Sequence, residues 1–310
     1  PNPEITIETN PGTVDLDKLK AYREAGVNRL SLGMQSFQPE ELFALDRIHT
    51  VEDAHSCYED ARKAGFENVS VDLIFALPNQ PFENWQTTLT KAVALGPEHI
   101  SAYNLSFESG TPLTKTLRRG EIAPCSVDVE RKMYLHSIDY LQAHGYEQYE
   151  ISNFAKPNRE CVHNQKYWDG SPYLGLGASS HSFMDKRRFW NVRNLREYIE
   201  LLNSQTLPIE GEETLDLEQK SFERVLLGLR QRRGVDLKSF ENDLGFSFFE
   251  KYVQPLSKFF SCDFSDGMFA SELSDGQRKI KSRLLEIEDG FLKLTKQGLL
   301  LNDSICAAFL

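Results

Sequence analysis

The segment Val69–Leu77, VSVDLIFAL, decides the fold class of this 310-residue chain. It is a nearly continuous apolar run of strand length, and Pro78 follows it directly. Such a run is typical of a strand that is buried on both faces of a parallel sheet. Burying the carboxylate of Asp72 in that strand without a partner would cost several kcal/mol. Asp72 is therefore expected to pair with, cap or bind another group.

Strands and helices alternate on both sides of this segment over about the first half of the chain. Apolar patterning and turn residues predict strands over residues 5–8, 28–34, 69–77, 100–105 and 149–151, and helices over residues 15–25, 39–45, 51–64, 83–95 and 127–144. Gly26 and Gly65 stand where two of these helices should end. The alternation predicts a parallel α/β sheet, open or barrel-like.

The chain changes character twice after this region. Residues 153–190 lose periodicity and become rich in Gly, Ser, Asn and aromatic residues, which favours a functional loop. Amphipathic helices are then predicted over 217–230, 237–243 and 248–260, followed by a hairpin around Asp289-Gly290 and a final helix from Lys296. That order of elements is typical of a winged-helix module, whose role is either DNA contact or packing as a lid. We expect three segments, 1–152, 153–211 and 212–310.

Composition and charge exclude several classes of protein. The net charge of -11 argues against a general nucleic-acid binder, and no apolar run approaches the roughly 18–20 residues of a membrane span. The five cysteines are scattered without a CxxC pair, which disfavours a disulfide framework and favours a reducing, cytoplasmic setting. The chain starts at Pro1 on the threshold of a strand. The natural N-terminus is therefore expected upstream.

Four polar residues stand where the ends of the predicted strands should meet. Because the carboxyl ends of parallel strands face the functional site in α/β folds, such residues are candidates for a ligand pocket. They are Glu8, Gln35, Arg47 and Asp72. The alternative is purely structural, with an internal Asp72–Arg47 ion pair and with Glu8 and Gln35 capping turns.

A second candidate site lies in the aperiodic region, in the run from Cys161 to Trp168. If this run is extended, Cys161 and His163 project the same way, and if Asn164 starts a helix, the aromatic pair that follows lies one turn away. Imidazole is a natural axial ligand of haem iron, and flat aromatic rings suit a porphyrin face. The alternative is a structural turn with Trp168 in the core. Downstream, a Gly-x-Gly at residues 175–177 predicts close backbone approach and is only weak evidence for phosphate binding.

These residues also carry a resemblance to a known family. The chain resembles the radical S-adenosylmethionine (SAM) family that contains haem chaperones of the HemW type and the oxygen-independent coproporphyrinogen III oxidases. The matching stretches are IETNPGT (7–13), GVNRLSLGMQSF (26–37), LDRIHT (45–50), VDLIFALP (71–78), ESGTP (108–112), YEISNFA (149–155) and HNQKYW (163–168). HNQKYW fits the HNxxYW signature that separates the haem-chaperone branch from the oxidases. The implied fold is α/β, a partial (β/α)6 radical-SAM barrel without its first strands, with a C-terminal winged-helix-like α+β domain.

The resemblance also implies cofactors and site residues. The SAM-binding residues would be Glu8, Gln35, Arg47, Asp72 and Tyr103, and the haem-binding residues would be His163, Asn164, Tyr167 and Trp168. His163 would ligate the haem iron, with Cys161 and His181 as competing ligands. The family's CxxxCxxC motif for a [4Fe–4S] cluster and its GGGTP segment are absent and are expected before Pro1. None of the five cysteines has the required spacing. This chain is therefore expected neither to assemble the cluster nor to generate a 5′-deoxyadenosyl radical.

Two functions follow from the resemblance. The first is a haem chaperone that delivers haem to acceptor proteins, including respiratory ones, without nucleic-acid partners or stable membrane insertion. The second is an oxygen-independent coproporphyrinogen III oxidase of the coproporphyrinogen dehydrogenase type, which decarboxylates its substrate by radical chemistry. A different radical-SAM enzyme, or a DNA-contacting winged-helix protein, is the third interpretation.

Overall fold

The computed structural model describes residues 3–264 and 267–310. The chain forms two compact units, Pro1–Cys161 and Val162–Leu310. Residues 1, 2, 265 and 266, which belong to the first and third predicted segments, lie outside the described residues.

The first unit is a six-stranded sheet with helices in the connections. Its strands are β1 (Thr6–Thr9), β2 (Arg29–Gln35), β3 (Val69–Phe75), β4 (His99–Asn104), β5 (Glu147–Gln148) and β6 (Asn153–Ala155), in the sheet order β1-β2-β3-β4-β6-β5. Its helices are α1 (Leu16–Glu24), α2 (Pro39–Ala44), α3 (Val51–Lys63), α4 (Phe82–Leu95), α5 (Pro112–Arg118) and α6 (Val127–Ala143). The pairs β1–β2, β2–β3 and β3–β4 are parallel, which confirms the α/β fold class.

The sheet departs from the prediction at one edge. The expected parallel strand over residues 149–151 is wrong, because these residues connect the short strands β5 and β6. Both are antiparallel to their neighbours, β6 to β4 and β5 to β6. Helix α5 was not predicted either, although Thr111 caps it and Pro112 occupies its first turn.

The two faces of β3 differ in chemistry. Val69, Val71 and Leu73 are fully buried on the face that packs against helices, where the Phe75 ring lies 5.3 Å from the ring of Trp85 on α4. Successive side chains of a strand alternate between faces, so Asp72 points the other way. The strand is parallel and largely buried, as its apolar run predicts, but an apolar environment on both faces is wrong. One face is apolar and covered by helices, and the other is polar.

The second unit begins with the helix that contains HNQKYW (163–168), called the haem motif below, and it contains two antiparallel sheets. Its helices are α7 (Val162–Trp168), α8 (Leu195–Asn203), α9 (Leu217–Arg230), α10 (Leu237–Leu244), α11 (Phe248–Lys251), α12 (Val253–Phe260), α13 (Gly267–Ser274), α14 (Lys296–Leu299) and α15 (Asn302–Ala307). Its strands are β7 (His181–Met184), β8 (Arg187–Asn191), β9 (Ile209–Thr214), β10 (Val235–Asp236), β11 (Ile280–Lys281), β12 (Leu285–Glu288) and β13 (Phe291–Leu294). They form the sheets β7-β8-β9 and β10-β13-β12-β11.

Several predictions for this unit hold and two are wrong. The β12–β13 hairpin turns at Asp289 and Gly290 with φ of 54° and 77°, which is the type I′ geometry that Asp-Gly predicts. The helix expected over residues 248–260 is divided at Tyr252 into α11 and α12. The expected loop over residues 153–190 is also wrong, since β6, α7, β7 and most of β8 lie there. None of the helices in the described part of the chain combines the length and the apolar character that a membrane crossing requires.

Candidate functional site

The register of the parallel strands gathers polar side chains on one face of the first unit's sheet. Glu8 pairs with Ser31 and Ser31 with Ser70, while Asp72 pairs with Ser101 on the next strand. Paired residues of neighbouring strands lie on the same face, as do residues two apart along a strand. The face so defined, called the polar face below, carries Thr6, Glu8, Arg29, Ser31, Ser70, Asp72, His99, Ser101, Tyr103 and Asn153.

Asp72 lies at the centre of the polar face and is held by hydroxyl groups. Ser31 Oγ donates to Asp72 Oδ2 at 2.8 Å, and Ser70 Oγ donates to Asp72 Oδ1 at 3.0 Å. Burial raises the pKa of the Asp72 carboxyl, and these hydroxyls oppose the rise. Asp72 lies inside β3, three residues before its end, as its place within the VSVDLIFAL run predicts. The alternative Asp72–Arg47 ion pair is also wrong, because the described residues show none.

Gln35 and Arg47 come together around Asn10, which is not among the candidate residues of the sequence analysis. Gln35 is the last residue of β2, has a φ of 65° and is 8 % exposed. A Cβ atom on Gly33 would lie 2.4 Å from Asn10 Oδ1 and 2.8 Å from Gln35 Nε2. Glycine at this position therefore leaves room for both side chains. Arg47 Nη1 donates to Asn10 Oδ1 at 3.4 Å. These four residues form what we call the Asn10 cluster.

The polar face suits a polar ligand with several hydrogen-bonding groups. Thr6 Oγ1, Arg29 Nε and Asn153 Oδ1 of this face are buried and have no hydrogen-bond partner among the described residues, and the same holds for Arg47 Nε of the Asn10 cluster. A buried polar atom without a partner is costly, and a bound ligand removes that cost. Glu8 and Tyr103 are exposed, so a ligand has access to both.

A buried chain of hydrogen bonds continues from Asp72 across the polar face. Because Ser70 Oγ donates to Asp72, it accepts from His99 Nδ1 at 2.8 Å. His99 Nε2 therefore accepts from the Tyr149 hydroxyl, also at 2.8 Å. Tyr149 in turn accepts from the backbone N–H of Cys161 at 3.4 Å. The contact with Ser70 places a proton on His99 Nδ1, and the lowered pKa of His99 makes the ring neutral, so that Nε2 is the acceptor.

The neutrality of His99 predicts a pH-dependent stability. Burial and the charge of Arg29 hold the pKa of His99 well below its ordinary value of 6.5. The unfolded chain therefore takes up a proton below about pH 6.5 that the folded chain refuses, and the folded state loses stability as the pH falls. This single group contributes on the order of 1 kcal/mol of unfolding free energy between pH 7.5 and 5.5.

Urea unfolding of the wild type and of His99→Gln at both pH values measures this contribution. We expect the wild type to lose on the order of 1 kcal/mol more than the variant between the two pH values. The other histidines contribute equally to the pH dependence of stability in both proteins, so their contributions cancel in the difference. Equal losses in the two proteins would show that His99 is protonated in the folded state.

The haem motif of the second unit forms helix α7. The helix begins at Val162 rather than at Asn164, and Cys161 belongs to the first unit, so the extended arrangement of Cys161 and His163 is wrong. His163 is exposed, and its ring meets the Tyr167 ring edge-on at 4.9 Å, one turn later. The Tyr167 ring meets the Tyr173 ring at 4.7 Å.

Trp168 is fixed at the end of the same helix. Its indole ring lies under the guanidinium of Arg230, 4.4 Å from the ring centroid, and its carbonyl oxygen accepts from Gln231 Nε2 at 2.8 Å. Both partners belong to the end of α9. Trp168 therefore packs against the end of α9, but it is only partly buried and also borders a cavity, so it is not the core residue of the structural alternative.

That cavity is large and mostly apolar. Its volume is about 880 Å³, and its apolar lining includes Tyr167, Trp168, Tyr173, Phe183, Leu217 and Leu227. Of the four predicted haem residues, Tyr167 and Trp168 line the cavity, whereas His163 and Asn164 do not. The competing ligands are placed elsewhere, with the His181 ring stacked on Trp190 at 5.9 Å and the Cys161 thiol 3.8 Å from the Glu4 carboxylate. The predicted close approach is confirmed at Gly175, where a Cβ atom would lie 2.2 Å from His181 O, and is wrong at Gly177, where a Cβ atom would meet nothing within 4 Å.

The described residues do not provide a metal or cluster site. They contain no group of three or more His, Cys, Asp or Glu side chains placed to hold a metal ion. None of the five cysteines forms a disulfide within the described residues, and burial raises the pKa of the Cys57 and Cys306 thiols to about 11. Thiols of that kind are protonated at neutral pH and are poor metal ligands. The residues described here therefore do not fit a [4Fe–4S] cluster.

Comparison with known proteins connects both units to one family. Residues 1–92 match the radical SAM superfamily, and residues 215–301 match the HemN C-terminal domain. The chain is 36 % identical over 307 residues to the "Heme chaperone HemW" of Bacillus subtilis, covering 99 % of this chain and 76 % of that protein. The chain belongs to the HemW family. A relative of the same name from Synechocystis is 40 % identical over 238 residues, 76 % of this chain and 58 % of that protein.

A solved structure and the matched family bear on the fold and on the class of cofactor, respectively. The solved coproporphyrinogen III oxidase (HemN) of Escherichia coli, a radical SAM enzyme, matches with a TM-score of 0.76 over 99 % of this chain and 69 % of that one. At 24 % identity this likeness concerns the fold alone, and it confirms the α/β radical-SAM fold with a C-terminal domain. Radical SAM proteins use SAM and a [4Fe–4S] cluster. The resemblance that the sequence motifs predict is confirmed.

Proposed function

We propose that the chain is a haem chaperone that binds haem in its second unit and passes it to acceptor proteins in the cytoplasm. The first unit binds SAM on its polar face. Membership of the HemW family supports the proposal, because the curated relatives carry the name of haem chaperones.

The observation that carries the haem proposal is the position of α7 at an aromatic cavity. The HNQKYW segment places Tyr167 and Trp168 in the wall of a cavity of about 880 Å³. That volume lies within the range of about 300–1,000 Å³ that is usual for ligand sites. His163 does not line the cavity, but it is exposed and lies against the ring of Tyr167, which does. An imidazole can ligate haem iron, and neighbouring aromatic rings can pack against the porphyrin face.

The SAM proposal rests on the polar face of the first unit. The Asn10 cluster gathers Gln35 and Arg47, and the strand register puts Glu8, Asp72 and Tyr103 on the polar face. Gln35 and Arg47 would bind the polar ends of SAM, and Glu8 would accept hydrogen bonds from its ribose or amino group. Bound SAM would supply the sulfonium chemistry of the family, while these residues orient it.

Haem titration followed at the Soret band tests the haem proposal. We expect saturable one-to-one binding by the wild type and about tenfold weaker binding by His163→Ala, because an iron–imidazole bond is lost. His144→Ala is the matched control, since His144 is an exposed histidine of the first unit. Ligation by a thiolate instead of His163 would give a different Soret spectrum.

Two outcomes would count against the proposal. Absence of haem binding, or an affinity that is unchanged in His163→Ala, would mean that HNQKYW serves only to pack α7. Conversion of coproporphyrinogen III by the protein would overturn the chaperone interpretation in favour of the oxidase.

A further inference from the structure

The cavity of the second unit is bordered by charges as well as by apolar side chains. Helix α9 presents Leu217, Lys220 and Leu227 to it, together with Glu223 and Arg224. Their spacing of three or four residues places them on one face of the helix. The turn between β7 and β8 adds Asp185 and Lys186, β8 adds Arg188, and α10 adds Asp243.

Most of these charges are already paired within the wall. Arg188 Nη2 binds Glu223 Oε1 at 2.9 Å, and Arg224 Nη2 binds Asp243 Oδ2 at 2.7 Å. Lys186 and Lys220 form no ion pair within the described residues. The one remaining acidic group in the wall is Asp185. In a chain whose net charge is -11, an apolar cavity with more unpaired cations than unpaired anions indicates an anionic ligand.

We infer that Lys220 and Lys186 bind the carboxylates of the tetrapyrrole whose macrocycle occupies this cavity. The inference rests on the proposed haem binding and deepens it by placing the ligand. A porphyrin dicarboxylate is a flat apolar disc with anionic groups at its edge, and the cavity offers aromatic and leucine walls with cations among them. Lys220 is only partly exposed, so its ammonium group interacts with a carboxylate more strongly than a fully solvated lysine would.

This placement also assigns separate tasks to the two ends of the site. His163, which lies outside the cavity lining, would ligate the iron, whereas Lys220 lies on α9 and Lys186 on the β7–β8 turn. Loss of the lysines should therefore weaken affinity and leave the iron's ligation unchanged. The position of the Soret maximum reports that difference.

The test compares haem with its dimethyl ester, which keeps the macrocycle and the iron but removes both carboxylates. We expect Lys220→Met and Lys186→Met each to weaken haem binding about three- to tenfold and the double variant about 10- to 50-fold. The Soret maximum should not move. The dimethyl ester should bind the wild type and the double variant equally. Lys258→Met is the matched control, because Lys258 is exposed on α12 and does not line the cavity.

The outcomes separate this inference from the proposed function. Haem binding that is unchanged in the double variant, or binding of the ester that falls as much as that of haem, overturns the role of the lysines while haem binding stands. Absence of haem binding by the wild type overturns the proposed function itself. Far-ultraviolet circular dichroism and urea unfolding of each variant identify any loss that comes from misfolding. Two single variants are included so that a folding failure in one leaves the other to decide.

Discussion

Gly33→Ala is expected to weaken SAM binding about 10- to 100-fold, although it adds a single methyl group. The new Cβ atom would lie 2.4 Å from Asn10 Oδ1 and 2.8 Å from Gln35 Nε2, and both distances are far below van der Waals contact. The Asn10 and Gln35 side chains must move away from residue 33, and the hydrogen bond from Arg47 to Asn10 is then lost. Two or three hydrogen bonds to a ligand at roughly 1 kcal/mol each account for that factor.

Isothermal titration of the chain with SAM measures the effect. Gly267→Ala is the control, because a Cβ atom at Gly267 meets nothing within 4 Å. Gln35→Ala removes the displaced amide without inserting an atom, and we expect it to cost about tenfold or less. Wild-type affinity in a folded Gly33→Ala variant would show that the Asn10 cluster is not part of the SAM site.

The regular elements of this chain could be predicted because their patterns are long and have clear end signals. Helix α3 begins at a Thr50–Asp53 capping box and is followed by Gly65 at a φ of 88°, and its bounds follow directly. Strands β5 and β6 have two and three residues, too few to display a period of two. The β7–β8 hairpin turns at Asp185-Lys186 with φ of 54° and 64°, without the glycine that marks such a turn in sequence.

The candidate site was predictable only in part, because register cannot be read from single strands. Polar residues at Glu8, Gln35 and Asp72 stand out against apolar runs, but which of them meet depends on the parallel pairing. The hydrogen bonds from Ser70 through His99 to Tyr149 join residues that are far apart in sequence. Each of these residues has an ordinary structural explanation by itself. Asn10 was hidden in an Asn-Pro-Gly turn, where its backbone role concealed the contact of its side chain.

Trp85→Ala is expected to lower the free energy of unfolding by about 3–5 kcal/mol, the usual cost of truncating a fully buried tryptophan. Trp85 is 0 % exposed on α4, and its ring lies 5.3 Å from Phe75 at the end of β3. Its indole N–H donates to Ser137 Oγ on α6 at 2.9 Å. Because Ser137 Oγ also donates to the carbonyl of Met133 at 2.8 Å, it keeps a partner in the variant. The expected loss therefore comes chiefly from the cavity that the ring leaves.

Urea unfolding followed by circular dichroism separates the cavity from the hydrogen bond. Trp85→Phe keeps most of the volume and should cost about 1–2 kcal/mol. A double-mutant cycle of Trp85→Phe with Ser137→Ala should give a coupling of about 0.5–1.5 kcal/mol for the bond alone. A loss below about 1 kcal/mol in Trp85→Ala would mean that α4 and α6 collapse into the space. In that case β3 would shift with Phe75, and SAM binding through Asp72 would weaken although stability is kept.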